Sequence, residues 1–513
     1  MNICLVRPPK LMKLLGGSMN PVPPLGLAFV AASLREAGHR VTVIDAIGEA
    51  PLQVVPYRLQ GTYTNGLSYD EIYRRIPSNT DAVGFSMMFT ENWLSDRDLI
   101  HYLGSRMPGV TFFAGGEHIS AYPEMWLKQA EHLHVCVVGE GEETAVELAR
   151  ALESGTPLED VHGIVFKNHR GTIITNLRRG RIRKIEDIPL PAWELFPIET
   201  YNDLKLQWGV YRGKSLPILA TRGCPYTCTF CSSPQMWTTK YSMRSPMHVA
   251  DEMEMYYRKY GITNFDFYDL TAIIRKEWII DLSKEIIRRG LQITWQIPGG
   301  TRSEAINREV AHWLYRSGCR NITYAPESGS PETLHYIRKK ISISKMLTSI
   351  GHSNREGMNI KLNIMIGFPE ERHKHLWQTI WFLMRAAAYG AHDAVPSIFS
   401  PYPGSALFEQ LVREGQIRPD TDEYYEGILD TNDYTGTKFY NKHLSKGWLR
   451  FYFYMYLVAF FGTQYLVRPW RLIRTLRNLV LRKQESRGEA ALLEMLGRRK
   501  FVLRTEMTEV AHA

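Results

Sequence analysis

Three of the six cysteines in this 513-residue chain fall within eleven consecutive residues, Thr221-Arg222-Gly223-Cys224-Pro225-Tyr226-Thr227-Cys228-Thr229-Phe230-Cys231. Their spacing is Cys-x3-Cys-x2-Cys, directly after an apolar run, Leu216-Pro217-Ile218-Leu219-Ala220, that reads as a strand. Soft thiolates this close together can converge on one metal centre, an iron–sulfur cluster or zinc. A structural zinc site needs a fourth Cys or His at suitable spacing, and none is nearby. Three thiolates leave one iron of a four-iron cluster open, and an open site is what chemistry needs. The remaining alternative is three unrelated buried thiols, which rarely cluster like this. Cys4, Cys136 and Cys319 stand alone in the sequence and are expected in the core.

A strand–helix alternation runs on either side of the cysteines. Before them, strands are expected at Ile3–Val6, Val41–Ile44, Ala82–Ser86, Val110–Ala114 and Val135–Val138, with helix-length segments between. This rhythm predicts an α/β fold with a doubly wound parallel sheet, which binds ligands at the carboxyl ends of its strands. The loops at those ends are Ser86-Met87-Met88, Ala114-Gly115-Gly116-Glu117-His118 and Gly139-Glu140-Gly141-Glu142. Their glycines let backbone come close to a bulky ligand. A nucleotide-binding Rossmann domain needs Gly-x-Gly-x-x-Gly after the first strand, and Arg7-Pro8-Pro9-Lys10 stands there instead. After the cysteines, strands are expected at Asn264–Tyr268, Ile293–Gln296, Asn321–Tyr324, Lys361–Ile366 and Ala394–Phe399. Polar residues at their carboxyl ends are Asp269, Arg302, Glu327 and Asn363.

The cysteine spacing, with the aromatic Phe230 before the third thiol, resembles the radical S-adenosylmethionine (SAM) superfamily. The two glycine loops ahead of it resemble the cobalamin-binding domain of its B12-dependent members. The resemblance implies a Rossmann-like domain over residues 1–153, a linker with a small hairpin over 154–214, a partial (β/α)6 barrel over 215–410, and a helical extension over 411–513. It implies that Cys224, Cys228 and Cys231 bind a [4Fe–4S] cluster whose open iron chelates SAM. One electron from a flavodoxin- or ferredoxin-like donor then releases a 5′-deoxyadenosyl radical. Glu327-Ser328-Gly329-Ser330 and Gly367-Phe368-Pro369 match family segments near SAM, and Ser400–Ser405 matches the segment that closes the barrel. Ser86, Met87, Gly115, Gly116, His118, Gly139, Glu140, Gly141 and Glu142 are expected around cobalamin. The chain lacks the Asp-x-His-x-x-Gly of B12 domains that supply an axial His, so base-off cobalamin is expected.

Members of this subgroup mostly methylate unactivated or aromatic carbons, so a methyltransferase is the leading expectation. A non-methylating relative, such as an anaerobic magnesium-protoporphyrin monomethyl ester cyclase or a hopanoid-modifying enzyme, is the alternative. A cobalamin sensor with zinc at its cysteines is the non-enzyme reading. The net charge of +9 is concentrated near the end. Eleven Arg and Lys between 468 and 504 stand against three Glu, so the basic excess belongs to the tail and not to a nucleic-acid groove. The aromatic run from Phe451 and the arginines at 468, 471, 474 and 477 suggest either a solvated helical cap or contact with a membrane surface through 451–483. A large apolar substrate suits both. Few cysteines, an oxygen-sensitive centre and the lack of a signal-peptide pattern predict a cytoplasmic or peripheral membrane location.

Overall fold

A computed structural model describes residues 1–13, 21–429 and 438–496. Four of the tail's basic residues, Arg498, Arg499, Lys500 and Arg504, lie outside these ranges. The chain divides into two compact units that cut across the sequence segments. The first comprises residues 1–206, 221–244 and 400–438, and the second 207–220, 245–399 and 439–513.

The first unit is built on seven strands: β1 (Asn2–Arg7), β2 (Arg40–Asp45), β3 (Ala82–Ser86), β4 (Thr111–Gly115), β5 (Val135–Val137), β6 (Ile164–Lys167) and β7 (Ile173–Thr175). Their order is β7-β6-β5-β4-β3-β1-β2. The pairs from β2 to β5 are parallel, as the alternation predicts. The expected hairpin at β6 and β7 forms, and it also extends the main sheet by pairing β6 antiparallel to β5. Apolar strand runs such as Ile3–Val6 are fully buried because helices cover both faces. Strand order reverses between β1 and β3, so the switch-point crevice opens at the ends of those strands. Helix α1 (Leu25–Glu36) packs on α2 (Gly141–Ser154), and α2 ends where Gly155 takes φ 71°. A small antiparallel sheet of Lys10–Lys13, Thr62–Asn65 and Val54–Pro56 also forms. Its short, mixed-polarity strands carry no alternation that the sequence could reveal.

The second unit holds β8 (Ser215–Ile218), β9 (Asn264–Phe267), β10 (Thr294–Thr301), β11 (Cys319–Glu327), β12 (Asn359–Ile366) and β13 (Asp393–Ile398), all parallel and paired in sequence order. Sequential order without reversal makes a curling half-barrel, whose functional edge is the carboxyl one. Helix starts are well specified: Ser245 caps Pro246–Tyr260 with Pro246 in the first turn, and Ser342 caps Ile343–Arg355. Helix α3 (His373–Tyr389) is overlaid by α4 (Lys446–Val467), which buries Leu449, Tyr452, Tyr456 and Phe460. Helix α5 (Pro469–Val480) follows. Among the described residues no helix is long and apolar enough to cross a membrane.

Candidate functional site

The cysteine loop belongs to the first unit and is closed at its base by a two-residue antiparallel ladder, Thr221–Arg222 against Ser242–Met243. Gly223 turns the chain into the loop at φ 83°. A Cβ there would stand 2.2 Å from the Lys240 carbonyl oxygen, so glycine is required. Cys224, Cys228 and Cys231 are of intermediate exposure, whereas Cys4, Cys136 and Cys319 are buried as expected. The Cys231 amide donates to the Cys228 carbonyl at 3.2 Å. Burial pushes the Cys231 thiol up, Ser233 hydrogen bonds pull it down, and Glu117 pushes it up.

Arg222 links this loop to the second glycine loop. Its buried guanidinium donates to Glu140 Oε1 at 3.0 Å and to Glu142 Oε1 at 2.6 Å. Glu140 Oε2 also accepts from Arg181 Nε at 2.7 Å and from the Ile182 amide at 2.8 Å. Arg181 reaches on to the Trp237 carbonyl, behind the cysteines. Burial alone would raise the Glu140 pKa. The two arginines outweigh it and hold the carboxyl below its ordinary value. Glu140 and Glu142, expected around cobalamin, therefore spend their charge on fixing the cysteine loop. Two further ties act alongside: Ser232 donates to Glu117, and the Leu407 amide donates to the Thr229 carbonyl at 2.8 Å. The second tie brings the segment after Ser400–Ser405 against the loop.

At the switch point, the Met87 amide donates to the Gly115 carbonyl at 2.8 Å. Gly116 takes φ 123°, and a Cβ there would lie 2.3 Å from the Met87 carbonyl oxygen. The two loops thus pack backbone to backbone, and Met88 and Phe89 remain exposed at the same edge. An apolar shelf beside close-packed glycine loops fits a large flat macrocycle. Gly139 is held by its amide donating to Ser120 Oγ at 2.9 Å. His118 lies inside the unit, with its ring 4.0 Å from that of Trp126 and 5.1 Å from that of Trp93. Its Nδ1 pairs with Thr90 Oγ1 at 3.1 Å, and burial drives it down to about 3, so it is neutral.

In the second unit the polar strand-end residues share one edge. Asp269 accepts from the Ala220 amide at 3.2 Å, and Arg302 pairs with Glu304 at 3.1 Å. Glu327 lies opposite Ile364 of β12 after a register shift, at φ 65°, and accepts from Lys339 Nζ at 3.0 Å. A non-glycine residue in this region stores strain, which accumulates at functional sites. Ser328 is fully buried, bonded to Thr379 Oγ1 at 3.1 Å and accepting from the Ser330 amide. Asn363 sits on the less buried face of β12. Gly367 takes φ 92°, and its amide donates to Glu371 Oε2 at 2.7 Å. Sequence reasoning missed Glu371, whose other carboxylate oxygen is buried without a hydrogen-bond partner. Its only sequence signal was a second acid after the Gly-Phe-Pro turn.

Comparison with known proteins matches two families to separate stretches of the chain. The B12 binding domain family matches residues 14–149, and the radical SAM superfamily matches residues 218–383. An uncharacterised methyltransferase of Pyrococcus horikoshii is 28% identical over 459 residues, 88% of this chain and 92% of that protein. An anaerobic magnesium-protoporphyrin IX monomethyl ester cyclase of Rubrivivax gelatinosus is 25% identical, covering 76% of this chain and 66% of that protein. Among solved structures, TsrM of Kitasatospora setae, a radical SAM methyltransferase determined with cobalamin and a [4Fe–4S] cluster bound, superposes with a TM-score of 0.65 at 17% identity. The match covers 80% of this chain and 75% of that one.

Proposed function

The chain belongs to the cobalamin-dependent radical SAM enzymes, and from that premise we propose that it is a C-methyltransferase acting on an unactivated carbon of a large apolar, natural-product or lipid-like substrate. The observation that carries this reading is the Arg222 bridge. Two buried acids of the glycine loop are spent on orienting the cysteine loop, and this supports the reading that the two segments of one unit work together on their cofactors.

Cys224, Cys228 and Cys231 would hold a [4Fe–4S] cluster. Asp269, Arg302, Glu327, Ser328, Asn363 and Gly367 would form the SAM-binding edge, with Phe230 beside the cluster. Ser86, Met87, Gly115, Gly116, Gly139 and Gly141 would cradle cobalamin. When bound, these groups supply the electron, the radical precursor and the methyl carrier of the family's chemistry. The chain's own residues bind and orient. Arg222, Glu140 and Glu142 hold the thiolates in place, Glu371 fixes the Gly367 turn, and neutral, stacked His118 supports the crevice floor. His118 faces the indoles of Trp93 and Trp126, so its ring is engaged within the unit.

An external flavodoxin- or ferredoxin-like protein is the proposed electron source, and the 451–483 segment is read as peripheral contact with a cytoplasmic membrane surface. Under reduction, the reconstituted protein should convert SAM to both S-adenosylhomocysteine and 5′-deoxyadenosine. 5′-Deoxyadenosine alone would support the cyclase-like alternative, which the relative in Rubrivivax gelatinosus favours. Neither product would overturn both readings.

A further inference from the structure

Helix α5 is amphipathic with its polarity reversed. Its polar side is the buried one. Arg471 is 4% exposed and donates to the carbonyls of Gly390 and Ala391 at 3.1 and 2.7 Å, to Asn354 Oδ1 at 2.7 Å and to Gln464 Oε1 at 3.0 Å. Asn478, fully buried, donates to Glu489 Oε2 at 3.1 Å, and Thr475 donates to Glu489 Oε1 at 3.3 Å. Arg468 donates to the Ala387 carbonyl at 2.9 Å. The arginine ladder read from the sequence as one solvated or lipid-facing stripe is thus split. Arg471 is an internal clamp, and it is the apolar residues between the arginines that face out.

Those residues continue an exposed apolar ridge from α4. Val458, Leu466 at 85%, Trp470, Ile473, Leu476 and Val480 at 83% are all exposed. Surface helices normally turn such a stripe inward, and an outward patch of this extent marks an interaction face. No charged residue interrupts α4 between Arg450 and Arg468. Exposed Arg477, Arg482 and Lys483 lie on the same stretch as the ridge. Apolar side chains to insert, a tryptophan for the interface and cations for headgroups are together the requirements of a monotopic membrane surface. A second copy docking on the same face would bring these cations against their own copies, which disfavours self-association.

We propose that α5 and the outer face of α4 dock on an anionic bilayer, with Ile473, Leu476 and Val480 inserted and Arg477, Arg482 and Lys483 on the phosphates. This develops the peripheral-membrane reading and does not depend on methyl transfer. The test is co-sedimentation of the full chain with phosphatidylcholine vesicles, with and without about three-tenths phosphatidylglycerol. The protein should pellet with the anionic vesicles, and salt should weaken binding. Ile473→Ser/Leu476→Ser should lower partitioning about tenfold or more. Arg477→Glu/Arg482→Glu/Lys483→Glu should abolish the preference for phosphatidylglycerol. All variants should keep 5′-deoxyadenosine formation in solution, which separates this surface from the catalytic reading. The proposal is overturned if wild-type protein pellets with neither vesicle, or if the serine variant binds as wild type does. It is also overturned if the wild type is a dimer in solution that the serine variant converts to a monomer.

Discussion

Arg222 is the residue on which the candidate site depends most. It stands one position before Gly223, so its side chain and the thiolates are set by the same short ladder. Arg222→Met would leave Glu140 and Glu142 short of a buried counter-charge and should cost about 3–5 kcal/mol. Chemical denaturation checks the stability, and iron per chain after reconstitution checks the coupling, with both expected to fall. Restoring neutrality with Glu140→Gln/Glu142→Gln beside Arg222→Met should recover part of the stability. The sequence showed these three residues but not their pairing, because Arg222 and the two acids are some eighty positions apart. Glu371 is a second case. Burial lifts its pKa from 4.5 to about 8 against the pull of the Gly367 and Phe368 amides. The folded state therefore keeps a proton that the unfolded chain loses. Its contribution is fully present below pH 4.5 and is lost as pH rises toward about 8. Glu371→Gln should flatten this part of the stability–pH profile, as thermal melts across that range would show.

At the scale of elements, the two strand series were legible because long apolar runs at regular spacing can only be buried parallel strands covered by helices. The ladder under the cysteine loop was not. Two residues on each side carry no periodicity, and only Gly223 hints at the turn. Gly223→Ala puts a methyl into the Lys240 carbonyl at a left-handed backbone position. It should cost about 1–3 kcal/mol locally and reduce iron loading while leaving cobalamin binding unchanged, read by metal analysis and absorbance. Gly116→Ala should do the reverse, since its methyl would strike Met87 at the switch point. The bulge and positive φ at Glu327 were equally invisible, because a β-bulge depends on what the neighbouring strand does. Helix α5 shows a further limit: a 3.6-residue period reveals two faces but not which one turns inward, and there the buried partners Glu489 and Asn354 decide it.

For the whole molecule, the order of parts was readable and the division into units was not. The cysteine loop and residues 400–438 group with the N-terminal sheet, although β8 and β13, which adjoin them in the chain, belong to the half-barrel. Compactness follows tertiary hydrogen bonds such as Leu407 to Thr229, and sequence order does not encode these. Replacing Cys224, Cys228 and Cys231 together by Ala should remove the iron and all 5′-deoxyadenosine formation yet leave cobalamin binding intact, since the glycine loops and the Met88–Phe89 shelf do not use the thiols. The most direct measurement follows the methyl group itself. Reduced, reconstituted enzyme is supplied with SAM deuterated at the methyl and with a lipid extract, and products are read by mass spectrometry. The account predicts a trideuteromethyl group on carbon of an apolar product, formed together with S-adenosylhomocysteine and 5′-deoxyadenosine. An altered apolar product carrying no label, with 5′-deoxyadenosine and methionine as the only SAM-derived species, would contradict it.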